Sequence, residues 1–263
     1  MVTLAMHDGW VVAKRNLTKI KRVPDLLVFS TIQPIMFVLL FAYVFGSAIN
    51  VPGVNYKEFL MPGIFVQTVA FGASLTAIGL ADDLQKGIVD RFRSLPMSRA
   101  AVLIGRTTSD LLNNVFVVVV MSVTGLLVGW RIHLGFIKGV YGYLLLLAFA
   151  YAMSWISALI GLSVKSVEVA QSAGFIWVFP LTFLSNAFVP TAHLPSVLRT
   201  IADWNPISSI VLSLRDLWGN TGLARPPGIP GKYPIPLALI WIALILLVFM
   251  PTSIAKYRRA TSR

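Results

Sequence analysis

Chemistry on a substrate needs groups that titrate, coordinate or attack, and in these 263 residues such groups are few and scattered. There is no cysteine, and His7, His133 and His193 stand far apart, so neither a thiolate site nor a histidine-based metal site has a ligand set. Gly231-Lys232 lacks the upstream glycine and the following serine or threonine of a phosphate-binding P-loop. No HExxH, GxSxG or separated carboxylate pair occurs either. The chain is therefore expected not to be an enzyme and to bind no cofactor of its own.

Two groups of residues remain. The first is the stretch from Asp82 to Arg99, where Asp83, Lys86, Asp90 and Arg93 carry dense charge of both signs. Leu84, Ile88, Phe92 and Leu95 recur in it at i, i+4, i+8 and i+11, which predicts a short amphipathic helix over 82–96, stopped by Pro96. A bare connection needs only a few polar residues, so this one asks either for a partner surface or for a groove on its own bundle. Ser98 is placed to cap the next helix, which would run through Arg106 and Asp110. The second group is uncharged: Gln33 before Pro34, Gln67, Thr68, Asn113, Asn114, Ser185 and Asn186 lie within apolar runs. They read either as hydrogen bonds between helices or as the lining of a substrate path.

The elements that position these groups follow from composition. Apolar residues make up 57% of the chain and charged residues only 12%, with a mean hydropathy of +0.79. Soluble domains carry about twice that share of charge. Six runs contain no Asp, Glu, Lys or Arg: 26–49, 59–81, 111–130, 139–164, 169–189 and 235–255. Each reaches the roughly 20 residues needed to cross a ~30 Å hydrocarbon layer. The fold class expected is an all-α polytopic membrane protein with six spans in one transmembrane domain over 26–255, which excludes soluble, disordered and collagen-like classes. Because no span holds an ionisable residue, an intramembrane proton relay has no place to sit, although sodium coupling through backbone carbonyls stays open. Energy for uphill movement would have to come from another chain.

Charge gives the orientation. Of 22 Lys and Arg, fifteen fall before residue 26, in 82–110, at Lys165 and in the tail after 255. Only seven fall on the other side: Lys57, Arg131, Lys138, Arg199, Arg215, Arg225 and Lys232. The positive-inside rule then places both termini in the cytoplasm. The net charge of +12 is thus an orientation signal that also favours anionic lipid headgroups, rather than the mark of a nucleic-acid binder. The first run exceeds the ~7–15 residues of a signal-peptide core and reads as a retained span.

Residues 1–25 form a helical stripe of Val2, Met6, Trp10, Ala13, Leu17 and Ile20 opposite Arg15, Lys19 and Arg22, which predicts an interfacial helix. On the other side, 194–218 divides into two short amphipathic helices, the second opened by Asn205-Pro206 as cap and first turn. A Gly- and Pro-rich linker over 219–236 follows, and 256–263 is a basic tail.

Tyr56-Lys-Glu-Phe-Leu-Met-Pro-Gly63, the unbroken Gly79-Leu-Ala-Asp-Asp-Leu-Gln-Lys-Gly-Ile-Val-Asp-Arg-Phe-Arg-Ser-Leu-Pro-Met-Ser-Arg99, Gly105-Arg106 and Asn205-Pro-Ile together carry a resemblance. The sequence is similar, over nearly its whole length, to the membrane subunits of type-2 ABC exporters, and among them to the daunorubicin-resistance-like permease branch. The resemblance implies that 82–96 is a coupling helix seated in a separate ATP-binding subunit through Lys86, Gly87, Asp90, Arg91, Phe92, Leu95 and Pro96. It also implies two ATPase copies, ATP and Mg held by that partner, a second permease that is an identical or sister chain, and re-entrant external helices. The function implied is outward movement of an amphipathic drug or lipid-like substrate across a bacterial inner membrane by alternating access. Gln33, Gln67, Thr68, Asn113, Asn114 and Asn186 are the candidates to line its path. A glycolipid or polysaccharide exporter, a sodium-coupled carrier without ATP, and a scaffold that transports nothing are the alternatives.

Overall fold

The computed structural model describes residues 24–45, 55–87, 99–221 and 225–260. The interfacial helix expected before Pro24 and most of the charged 82–99 stretch lie outside them. All regular structure among the described residues is helical. Helix α1 (Pro24–Leu39) passes directly into a π turn, Leu40–Phe45; α2 (Tyr56–Gly72) and α3 (Ser74–Gln85) are joined through Ala73. Then come α4 (Arg99–Val128), α5 (Gly135–Gly161), α6 (Val167–Phe183), the short α7 (Ser196–Trp204) and α8 (Pro206–Trp218), a single turn α9 (Ile229–Lys232), and α10 (Pro234–Ala260).

Every apolar run of the sequence meets one of these helices. Four helical stretches are long and apolar enough to cross a membrane: Tyr56–Gln85, Val102–Val128, Gly135–Gly161 and Pro234–Arg259. Two more, Thr31–Val44 and Val167–Phe183, are apolar but shorter. At 1.5 Å per residue α6 covers about 26 Å, slightly less than a hydrocarbon core. Its shortness has a local cause: after Pro180 and Phe183 the chain leaves the helix, and the 184–189 segment is captured by α8.

Burial sorts the helices. Helix α2 is buried around most of its circumference, which makes it the centre of the bundle, with α5 packed beside it. The outer helices keep large apolar side chains exposed, for example Leu127 at 82% and Leu247 at 76%, as does the first turn of α5 at Phe136, 85%. Surfaces of this kind are stable against lipid and not against water. One end of the bundle is aromatic, with Trp130, Trp218, Phe65 and Tyr143 in mutual ring contact. The opposite end packs Leu80, Val102, Leu103, Trp155, Leu162 and Tyr257, and it is the end from which α3 leaves and α4 returns.

Helix α8 is no surface helix. Ile207, Ser208, Ser209, Ile210, Val211, Ser213, Leu214, Arg215 and Trp218 are all buried between α2, α5 and α10. Its neighbour α7 instead leaves Val197, Leu198, Ile201 and Trp204 exposed along one side. The two expected external helices thus differ, one folded into the bundle and one lying on it. Nor is 219–236 a free linker where it is described: Arg225 pairs with Asp216 at 2.7 Å and donates to the carbonyl of Gly231 at 3.2 Å.

Candidate coupling face and interior polar groups

At the end of α3 the chain turns at Lys86 and Gly87, and Gly87 has φ +63°, a left-handed conformation that glycine adopts without penalty. Asp82–Gln85 are therefore the last turn of α3, and the 82–96 boundary expected for a separate helix is corrected. An uninterrupted stripe from Leu84 through Leu95 would need helical geometry at Gly87, which the turn removes. Lys86 pairs with Asp82 at 2.7 Å on the exposed side. Gln85 donates to the carbonyl of Lys165 at 3.3 Å, and Lys256 of α10 reaches Ser163 Oγ at 2.8 Å. The exit of α3, the α5–α6 turn and the end of α10 thus share one charged face. Asp90, Arg91, Phe92, Leu95 and Pro96 lie outside the described residues, as does the expected cap Ser98; α4 is described from Arg99.

The interior polar candidates separate. Gln33 is exposed on α1, and Thr68 and Asn113 are half-buried. Gln67 is buried, with Oε1 unpartnered among the described residues. Asn114 is buried and donates to the carbonyl of Asp110 one turn back, at 2.9 Å. Asn186 is held by α8: its backbone N–H donates to Ser208 Oγ at 3.0 Å and its Nδ2 to the Ser208 carbonyl at 3.4 Å. Asn205 does what its sequence context predicts, accepting from Ile207 N at 2.8 Å. It also donates to the carbonyls of Leu181 and Leu184, both at 2.7 Å, which fastens the end of α6 to the start of α8.

Two features escaped the sequence. The first is Arg215, counted there as an outer-loop cation but only 3% exposed. Its Nε and Nη2 donate to the carbonyl of Phe59 at 3.1 and 2.9 Å, and Nη2 also donates to those of Asn186 at 3.0 Å and Ala187 at 3.4 Å. Its guanidinium carbon stands 3.8 Å from the centre of the Phe59 ring. Gly63 makes room for this arrangement, since a Cβ there would lie 2.1 Å from the Ala187 oxygen. The second is a band of phenylalanines from distant parts of the chain. Phe37 meets Phe41 at 5.7 Å, Phe41 meets Phe188 at 4.9 Å, Phe188 meets Phe183 at 5.6 Å, and Phe183 meets Phe179 at 5.7 Å. Phe71 and Phe175 close on Phe179 at 4.9 and 5.9 Å. Helical spacing inside 175–183 is visible in the sequence, but its continuation through Phe188 to α1 is not.

Among the described residues no cluster of three or more His, Asp or Glu could hold a metal ion. The arrangement offers a charged end and an apolar, aromatic flank.

Comparison with known proteins gives the same direction. The chain is 32% identical over 244 residues, 93% of its length and 83% of the relative's, to the daunorubicin resistance ABC transporter permease protein DrrB1 of Streptomyces coeruleorubidus. It is 23% identical to the probable doxorubicin resistance ABC transporter permease protein DrrC of Mycobacterium tuberculosis, over 94% of this chain and 87% of that one. It is also 25% identical to the putative transport permease ycf38 of Cyanophora paradoxa, over 82% of this chain and 76% of that one. The family model described as "ABC-2 type transporter" matches residues 8–217, from before α1 through nearly all of α8, and the chain belongs to that family.

Proposed function

We infer that this chain is the membrane permease subunit of an ATP-driven exporter, working as one of two permeases with two copies of a separate ATPase subunit that holds ATP and Mg. Supporting the first part is the family membership together with a multi-pass set of apolar helices and drug-resistance permeases among the relatives. The observation that carries the division of labour is the charged 82–99 stretch. It joins two helices at one end of the bundle, in a chain that has no nucleotide-binding motif of its own.

In this reading the 88–98 segment, entered through Lys86 and Gly87, seats Asp90, Arg91, Phe92, Leu95 and Pro96 in the ATPase, an apolar knob within a charged rim. Closure of the ATPase pair on ATP moves the two permeases as rigid bodies, and a path between them turns outward. Both termini face the ATPase, in the cytoplasm of a bacterial cell, as the charge count expects. The substrate class is an amphipathic, drug-like or lipid-like molecule. Supporting it are the phenylalanine band and the uncharged groups Gln33, Gln67, Thr68, Asn113, Asn114 and Asn186, which provide ring surface and hydrogen bonds without ionic partners.

The test is an affinity pull-down of the chain from its native membrane in mild detergent, read by mass spectrometry and by ATPase activity of the eluate. A co-purifying P-loop protein with vanadate-sensitive activity is expected, and both should be lost in Phe92→Ala and Asp90→Arg. Recovery of the chain alone after cross-linking, or undiminished co-purification in both variants, would remove the reading.

A further inference from the structure

We propose that Arg106 is a positioning residue that clamps α3 to α4, so that the two helices from which the coupling segment hangs move as one lever; this rests on reading that segment as the ATPase contact. The two helices run antiparallel with a regular register: Gly79 of α3 stands against Arg106 of α4, and about two turns away, at the end of α2 that leads into α3, Asn114 Oδ1 lies 3.0 Å from where a Cβ on Gly72 would be. Between these pairs Thr76 Oγ1 donates to Asp110 Oδ2 at 2.7 Å.

Arg106 gathers the seam together. Its Nε donates to Asp110 Oδ2 at 3.3 Å, on its own helix. Its Nη2 donates to the carbonyl of Leu75 at 3.3 Å, and its Nη1 stands 4.0 Å from Asp83 Oδ2, both on α3. All three nitrogens of the guanidinium are therefore engaged, with the side chains of Arg106, Asp83 and Asp110 only 19%, 16% and 15% exposed. Such a fork fixes direction as well as distance, which a lysine ammonium cannot do. The seam needs a bare backbone at Gly79, because a Cβ there would come within 1.9 Å of Arg106 Nη2.

Location turns this from an ion pair into a device. Asp83 sits in the last turn of α3, and Arg106 sits two turns inside α4, so the clamp lies immediately behind both roots of the 88–98 segment. A push on the segment reaches the bundle through both helices or is lost in a splay between them.

The chain has no cysteine, so labels are easily introduced. Spin labels at Leu75→Cys and Thr108→Cys report the α3–α4 separation in the purified full chain without any partner. In the intact complex, daunorubicin uptake into vesicles per ATP hydrolysed reports coupling. Arg106→Ala and Gly79→Ala are each expected to widen the label distance distribution at least twofold and to lower uptake per ATP at least tenfold, with the ATPase still co-purifying. Arg106→Lys should restore the protein only in part, and the double variant should fall no lower than Arg106→Ala alone, because both changes release the same contact. Gly79→Ala is the decisive variant, since alanine favours a helix and a merely structural role predicts no loss. Unchanged label widths, wild-type uptake per ATP in Gly79→Ala, or multiplying losses in the double variant would overturn the clamp. Failure of the unmutated chain to retain an ATPase would instead overturn the functional reading, and the label widths would still decide whether α3 and α4 are clamped.

Discussion

Arg106 and Arg215 are both arginines drawn out of water at a junction of helices, at opposite ends of the bundle, and they are satisfied in different ways. Arg106 meets two carboxylates and one carbonyl, with a fifth of its side chain still exposed. Arg215 donates to three carbonyls and faces a phenylalanine ring, with almost nothing exposed. Carboxylates neutralise a guanidinium and can trade it for water. Carbonyls from two segments, Phe59 on α2 and the adjacent Asn186 and Ala187, can do neither, because they carry no net charge and lose a partner when the guanidinium leaves. The charged end is built to hold two helices while staying responsive; the aromatic end is built to stay closed on itself.

The sharpest way to break this contrast is Arg215→Met. Removing a buried cation that satisfies three carbonyls is expected to destabilise the fold by about 3–5 kcal/mol. Arg215→Lys should recover less than half of that loss, since one ammonium cannot bridge Phe59, Asn186 and Ala187 together. Thermal unfolding in detergent measures both, and an unshifted midpoint for Arg215→Met would undo the distinction. Next comes Gly63→Ala, which attacks the same carbonyls from the other side by pressing a methyl on the Ala187 oxygen. About 1–3 kcal/mol of overpacking is expected there, by the same assay. Arg106→Ala should cost less, about 1–2 kcal/mol, because the carboxylates it leaves are near solvent. Its stability loss should also shrink as salt is raised from 0.05 to 0.5 M, whereas that of Arg215→Met should not, which sharpens the comparison into a screening test. The smallest effect belongs to Arg225→Ala, whose partner Asp216 lies at 2.7 Å but whose own side chain is half exposed. A loss below about 1 kcal/mol is expected, and a larger one would mean that 225–232 is part of the closed aromatic end.

What the sequence made legible was governed by near neighbours. Freedom from charge over about twenty residues marks a candidate span because lipid imposes the same demand at every position; all six runs meet helices, and four helices are long and apolar enough to cross. The Asn205-Pro206 cap was readable because its chemistry is complete within three residues. Gly87 shows where local reading fails: the apolar spacing from Leu84 to Leu95 fits one helix, but a single left-handed residue ends α3 between them. The burial of Arg215 was not legible because counting charges by loop assumes that loops face water, and α8 is folded inward. Gly79 and Arg106 are plain in the sequence as residues, yet their meeting depends on the antiparallel register of α3 and α4, which no spacing along one helix encodes. The phenylalanine band has the same character, since Phe188 links α6 to α1 only after 184–189 folds back.

The inward folding of α8 has a consequence for how the chain is made. The four helices long and apolar enough to cross a membrane can enter it one after another as the ribosome delivers them, each stable there on its own. Helix α8 cannot, for it carries an arginine and is too short to span. It has to be seated among α2, α5 and α10, the last of which has yet to be synthesised when α8 emerges. Biogenesis therefore ends with a closing step in which Arg215, Trp218 and α10 are seated together. A nascent chain stalled before Pro234 would be integrated into the bilayer and still unfinished, a natural point for quality control to act.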